Sequence, residues 1–530
     1  MADRWDTIII GAGIGGLTAA AFLVRAGKRV LVLDRNPHPG GTAYVYHRKG
    51  FSFPMGPLGF SQSRLVKDTL QDLGENRGIK LDRVRYRIKA YDLDIPLSRS
   101  IDEMAVSLST LFPSDAGSLR TFFNYVSINH PDSSVPRVNG YHADGVSTFA
   151  GPASDYLDRE IKDWRLRRIL GSIGTREPYS NLTLLAAMWI LMCQEGIWFP
   201  ADGMKAFCDR FVMAVTQGPE PLVNRSNEGD GSGKISLNSE VSRIQVEKGR
   251  VEGVILKDGT QRIAGSVISN ADFKATFTKL LSNRVVPPEW YRAISGARQT
   301  GSIFQVSLGV NSRKTDLSCF KESDRIIYKR HPSNDQNLDW ESLELVPDTF
   351  SAQELEVSLW GKNDPTSAPT DGAVIVIRTE AEYLHFARYR SQTERRTPSY
   401  QAYKVRLARA LIREIESLLP GIEEAILVMD IATPLTFEDQ GGRSEGAIAG
   451  WSWDYEDFRD NKPKELIQTP IKGLYMAGYQ AFSALFMGGI PTAMESGKRA
   501  ARAVLEGAPP IEKILIPLTH SFSLEGIGER

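Results

Sequence analysis

Cysteine is scarce in this chain: three in 530 residues, Cys193, Cys208 and Cys319, with no C-x-x-C spacing. An odd, scattered set argues against a disulfide framework and favours a reducing compartment. Histidine is sparse too, seven in all with no ligand-like i, i+4 pair, so no metal is expected. Net charge is absent, lysine plus arginine matching aspartate plus glutamate at 64 each. That balance removes the electrostatic basis for a nucleic-acid partner. Long apolar runs are missing as well. The longest, Leu184 to Cys193, falls far short of the roughly 20 residues of a membrane span. The first strand pattern starts at Asp6, so a cleavable leader is not expected and the expected location is cytoplasmic. A length of 530 residues exceeds the usual single domain and predicts two intertwined units.

What is present begins at once. Asp6-Thr7-Ile8-Ile9-Ile10 reads as a buried parallel strand, and Gly11-Ala12-Gly13-Ile14-Gly15-Gly16 turns it into an apolar helix through about Arg25. A second strand, Arg29 to Leu33, ends on Asp34. Gly11 permits the tight turn, Gly13 lets a pyrophosphate approach the backbone, and Gly16 lets helix and strand pack closely. The helix start offers free N–H groups and a positive dipole end to phosphates. Asp34 stands where a carboxylate can accept both hydroxyls of an adenosine ribose. Strand, helix, second strand and acid fall in register, so the first segment is read as a dinucleotide-binding unit. No second fingerprint of this kind appears. Ser226 to Gly233 is glycine-rich but lacks the flanking strand and helix, and reads as a hairpin turn.

After Asp34, Arg35 leads on to the glycine pair Gly40-Gly41 and Thr42. Near the other end, Gly473 to Gly478 reads as a strand ending at a glycine, and Met487-Gly488-Gly489-Ile490-Pro491 opens a small-residue helix. Between them lie Gly56-Pro57, Gly196 to Gly203, the strand end Val267 to Asp272, and Thr433-Pro434 ahead of Gly446 to Gly450. Through most of its length the chain resembles the phytoene desaturase family, which includes carotenoid isomerases and retinol saturases and shares the amine oxidase superfamily fold. The resemblance implies an α/β protein, a Rossmann-type FAD-binding domain with an interleaved α+β substrate domain. Residues 1–75, 201–290 and 426–510 are assigned to the first, 76–200 and 291–425 to the second, and 511–530 to a tail. FAD is the implied cofactor. Its contacts would come from Gly11, Gly13, Ile14, Gly15 and Gly16, and from Asp34, Arg35, Gly40, Gly41 and Thr42. Pro57, Leu58, Gly59, Val241 and Asn270 would add to these, with Gly478, Gly489, Ile490 and Pro491 from the far end.

The implied reaction is that of a flavin oxidoreductase on a carbon–carbon bond of an apolar, isoprenoid-like small molecule. Desaturation, saturation and isomerisation all use this scaffold, and direction stays open. Three positions depart from the family pattern: Pro54 where an acid is usual, Thr42 where a basic residue often follows the glycine pair, and Ala449 where an aromatic is common. No motif marks a general base. Arg443 and Glu445 are the charged candidates for catalysis, against a plain loop ion pair. Two alternatives remain. An amine oxidase would need paired rings, for which Trp451 and Trp453 are the nearest candidates; a flavin-binding partner protein would show no turnover. The apolar stretch Leu182 to Cys193 reads first as a core helix and second as a tunnel wall. Arg159, Lys162, Arg165, Arg167 and Arg168 surround Trp164. That cluster reads first as a solvated face and second as peripheral contact with an anionic membrane.

Overall fold

The computed structural model describes residues 4–74, 78–128, 152–171, 182–217, 232–329, 353–362, 364, 366–391, 396–452, 464–483 and 489–511. Strand β1 (Arg4–Ile10) is buried on both faces from Thr7 onward, as a continuous apolar run in a parallel sheet requires. It pairs in parallel with β2 (Val30–Leu33) on one side and with Gln261–Ser269 on the other. Gly233–Ser236 extends the sheet beyond β2, and Leu474–Met476 pairs with the far end of Gln261–Ser269. An antiparallel hairpin, Val241–Glu247 and Arg250–Leu256, is attached to the start of that same strand. Its two-residue turn, Lys248 and Gly249, has both φ angles positive (49° and 75°), the geometry that matches strand twist.

Helix α1 (Ile14–Arg25) joins β1 to β2 and is buried along almost its whole length. The C-terminal helix Gly489–Glu506 crosses it at bare backbone. A Cβ on Gly497 would lie 2.3 Å from the Gly15 carbonyl oxygen and 3.0 Å from the Thr18 Cβ. The two ends of the described chain therefore build one half of the molecule together.

A second seven-stranded sheet forms the other half, in the order 426–432, 302–311, 372–381, 355–360, 325–329, 86–90 and 93–96. Residues 426–432 pair with Gln305 to Val310, so this sheet runs seven residues past the division expected at 425. The period of two sorts its faces. Phe304, Val306, Leu308, Ile375 and Ile377 point one way, into a core with Tyr400, Leu407 and Leu411 of the helix Pro398–Glu414. The opposite face carries Gln305, Ser307, Arg378 and Glu356, and the strand Phe51–Pro54 lies across it. A Cβ on Gly309 would lie 2.6 Å from the Phe51 ring, which makes that glycine the seat for the ring.

The apolar helix Leu182–Ile190 lies in a third cluster with Phe122, Phe123, Tyr156 and Ile169, where Trp189 Nε1 donates to the Leu170 carbonyl at 3.1 Å. Three of the five basic residues nearby have acidic partners, and Arg168 is buried with its guanidinium over the Tyr91 ring. Arg165 pairs with Asp163 at 2.9 Å and Asp92 at 3.2 Å, Arg159 with Glu160 at 2.7 Å, and Arg167 with Asp158 at 3.5 Å. Trp164 packs edge-on against Tyr91 at 4.8 Å. No described helix is long and apolar enough to cross a membrane.

Candidate functional site

A cavity of about 480 Å³ opens where β1, α1 and the C-terminal helix converge. Its floor is backbone. Gly11 turns at φ +97°, and Gly13, in ordinary extended geometry, starts α1. Gly40 (φ +101°) forms a parallel bridge to Gly13, and its N–H donates to the Ala12 carbonyl at 2.8 Å. A Cβ on Gly41 would stand 3.0 Å from the Gly13 Cα, and one on Gly15 would lie 2.6 Å from Asn270 Oδ1. Small residues are therefore required by contact between chain segments, not only by a ligand. Asp34 is held at the end of β2, accepting from Ala12 N at 2.7 Å and Asn36 N at 2.8 Å. Each of its oxygens keeps acceptor capacity beyond those bonds.

Most of the residues named from the sequence meet here. Gly11, Gly13, Ile14, Gly15, Asp34, Arg35, Gly40, Gly41 and Thr42 line the cavity, with Pro57, Val241, Asn270, Gly478, Gly489 and Ile490. Gly16, Leu58, Gly59 and Pro491 stand outside the lining. A Cβ on Gly16 would lie 2.1 Å from the Gly11 carbonyl oxygen, so this residue serves strand–helix packing. Leu58 is buried in the core, Gly59 presses on the Trp198 backbone, and Pro491 is buried in the first turn of its helix.

The two charged candidates separate. Arg443 lines the cavity: Nη2 donates to Thr42 Oγ1 at 2.7 Å, Nη1 to the Ile448 carbonyl at 2.9 Å, and the guanidinium lies 4.6 Å over the Tyr479 ring. Glu445 lies outside the lining, half exposed in an ion pair with Lys274 at 3.0 Å. Trp451 is a core residue, its Nε1 donating to the Gln480 carbonyl at 2.8 Å and its ring packed on Phe273. Trp453 and residues 484–488, which include Gly488, are outside the described residues.

Sequence reasoning missed Asp272, Tyr479 and Gln480, all in the lining. Asp272 takes Ser444 N at 3.0 Å and Ser444 Oγ at 2.5 Å, fixing the loop that carries Arg443. Gln480 Oε1 accepts from Phe273 N at 2.7 Å and so ties the two strand ends together. The Tyr479 hydroxyl is buried with no hydrogen-bond partner among the described residues, and burial pushes that phenol well above its ordinary range. Only the strand end holding Asp272 carried a local signal.

Residues 9–73 match the model of an NAD(P)-binding Rossmann-like domain. The chain is 25% identical to a phytoene desaturase (lycopene-forming) of Pseudescherichia vulneris, over 94% of this chain and 99% of the relative. It is 24% identical to a chloroplastic prolycopene isomerase of Arabidopsis thaliana, over 90% of this chain and 79% of that one. Over nine-tenths of its length the chain is thus similar to phytoene desaturases and prolycopene isomerases. A further relative, at 24% identity over 97% of this chain and 88% of its own length, is an inactive all-trans-retinol 13,14-reductase of Danio rerio. Among solved structures, an oxidoreductase from Methanosarcina mazei shares the fold with a TM-score of 0.61 and 16% identity, covering 94% of this chain and all of that one. Wild-type putrescine oxidase bound to putrescine does so with a TM-score of 0.56 and 14% identity, over 95% and 99% of the two chains. The departures at Thr42 and Pro54 from the pattern of these relatives have structural partners. Thr42 receives Arg443, and the Pro54 carbonyl receives Gln305 Nε2 at 3.1 Å.

Proposed function

We propose that this protein is an FAD-dependent oxidoreductase that acts on a carbon–carbon bond of an apolar, isoprenoid-like substrate. The observation that carries this reading is the relationship to desaturases and isomerases over nine-tenths or more of the chain. The cavity supports the cofactor. Its glycine floor leaves room for a pyrophosphate at the start of α1, Asp34 keeps acceptor capacity for a ribose, and the Tyr479 hydroxyl is an orphaned polar group in the wall. When bound, FAD supplies hydride or electron chemistry, and the protein positions the substrate bond and tunes the ring. The chain's own residues do the holding. Backbone N–H groups at the start of α1 face the phosphates. Asp34 accepts the ribose hydroxyls, and Arg443, placed through Thr42 beside the Gly13–Gly41 contact, balances pyrophosphate charge. The amine-oxidase reading has less support, because Trp451 is committed to the core.

Purified protein is expected to carry one non-covalent FAD per chain, released by acid or heat. Under anaerobic conditions isoprenoid or polyene substrates should bleach it or be isomerised by it. Bleaching by amines alone would favour the alternative, and neither response would favour binding without turnover. Two substitutions test the holding residues. Asp34→Ala removes charge-assisted hydrogen bonds worth about 1.5–3 kcal/mol, so FAD affinity should fall roughly ten- to hundredfold with the circular dichroism of the fold intact. Arg443→Met should weaken FAD binding by a similar order and leave riboflavin binding nearly unchanged. Equal loss for both ligands would place Arg443 at the ring instead.

A further inference from the structure

Two arginines of the second sheet reach across to the backbone of the segment that borders the cavity. Arg378 donates through Nη2 to the Gly56 carbonyl and through Nε to Gln305 Oε1 at 2.8 Å. Gln305, directly opposite Arg378 in the sheet, passes its amide on to the Pro54 carbonyl at 3.1 Å. Arg325 donates through Nη2 to the Leu58 carbonyl, and its Nη1 reaches the Tyr86 hydroxyl at 2.6 Å and Glu356 at 3.3 Å. Carbonyls of Pro54, Gly56 and Leu58 are thus each held from one face of one sheet. Pro57, between the last two, lines the cavity.

From the other side the same segment is pinched backbone to backbone. A Cβ on Gly56 would lie 2.7 Å from the Thr42 carbonyl oxygen, and one on Gly59 would lie 2.8 Å from that of Trp198. The charges are unequal. Arg325 has Glu356 as its ion-pair partner, whereas the hydrogen bonds of Arg378 go to a neutral amide and a neutral carbonyl. Burial pushes the Arg378 guanidinium down to about 10; neighbouring Glu356 supports its charge, while Arg325 and Arg443 oppose it. Burying such a cation is costly, and a neutral side chain of similar volume would fill the same space at less cost. Filling space therefore does not explain the residue. Holding carbonyls at fixed points does.

We propose that Arg378, together with Arg325, is a positioning residue that fixes the backbone from Pro54 to Gly59 and thereby sets Pro57 against the bound cofactor. This rests on the FAD reading above, so flavin content of the unmodified protein is measured first. A colourless protein that takes up no added FAD would defeat that reading, not the clamp. With holoprotein in hand, Arg378→Met should bind FAD within about threefold of the unmodified affinity, because the glycine floor and Asp34 are untouched. Its visible circular dichroism, flavin fluorescence and midpoint potential should all shift, and Arg378→Lys should return them part-way. A purely structural arginine would lower thermal stability and leave the flavin signals alone. Should Arg378→Met fail to fold, Gln305→Met unties Pro54 and the Arg378 Nε while keeping the charge, and the same signals should move. Unmodified flavin signals in the folded Arg378→Met holoprotein would overturn the proposal. If that variant does not fold, unmodified signals in Gln305→Met would overturn it.

Discussion

Gly13→Val is expected to purify as a folded, colourless protein. Gly13 has φ −72° and ψ 170°, which any residue can adopt, so the backbone itself raises no objection. A Cβ there would meet the end of the Asn270 side chain, Nδ2 at 2.9 Å, and then the Gly41 Cα at 3.9 Å. The amide can give way. The branches of valine then project over the cavity floor beside the Gly13–Gly41 contact, where a pyrophosphate would meet the backbone. FAD affinity should fall at least about a hundredfold, more than the loss of any single charge-assisted hydrogen bond. Gly16→Val is the contrasting variant. With a Cβ 2.1 Å from the Gly11 carbonyl oxygen, it should fail to fold at all. Flavin per chain and far-ultraviolet circular dichroism, read on both variants, check the pair. Stoichiometric flavin in folded Gly13→Val would remove the phosphate assignment.

A large loss of stability in a protein that still folds is expected far from that cavity, at Lys329 and Glu354. Their side chains are 0% and 1% exposed, and Nζ lies 2.6 Å from Oε2. Removing either partner takes the counter-charge from a buried ion, a loss of about 3–5 kcal/mol. Lys329→Met and Glu354→Gln should therefore each lower the thermal midpoint sharply and shorten the lifetime of the folded protein. The double variant Lys329→Met/Glu354→Leu removes both charges together and should recover most of the loss. Thermal unfolding of all three variants measures the coupling. If each single change were neutral, the pair would not be what secures these two neighbouring strands.

The parts of the molecule that were legible in the sequence are the ones whose signals are local. Gly11 to Asp34 carries strand, turn, helix and acid within one short stretch, and Lys248-Gly249 sits between two alternating runs. Arg443 and Thr42 meet across 401 positions, and Ser444 and Asp272 across 172, with no pattern linking either pair. Gln305 and Arg378 were hidden for a different reason. Alternation shows which strand residues share a face, but not whether that face is wet. Here the polar face is covered by the Phe51–Pro54 strand, so residues that look like a solvated side are buried. Trp451 fails in the opposite sense. Its place beside a glycine turn suggested a ring near substrate, and packing on Phe273 made it core. Around Trp164, Asp158 and Asp163 are near in sequence to the arginines they pair with, whereas Asp92, which pairs with Arg165, is distant and no local pattern announces it.

The crossing of Gly15 and Gly497 has a consequence for how the protein is made. β1 leaves the ribosome long before its neighbours Gln261–Ser269 and Leu474–Met476 exist. At roughly 5–20 residues per second, the interval before Met476 is synthesised is on the order of 20–90 s. For that time β1 has β2, and later Gln261–Ser269, beside it, but the sheet lacks Leu474–Met476 and α1 lacks the helix Gly489–Glu506. The cavity is complete only once the helix Gly489–Glu506 arrives, so on the FAD reading proposed above, flavin uptake would follow the synthesis of that helix. A chain stopped before Gly489 would leave exposed the face of α1 that this helix covers.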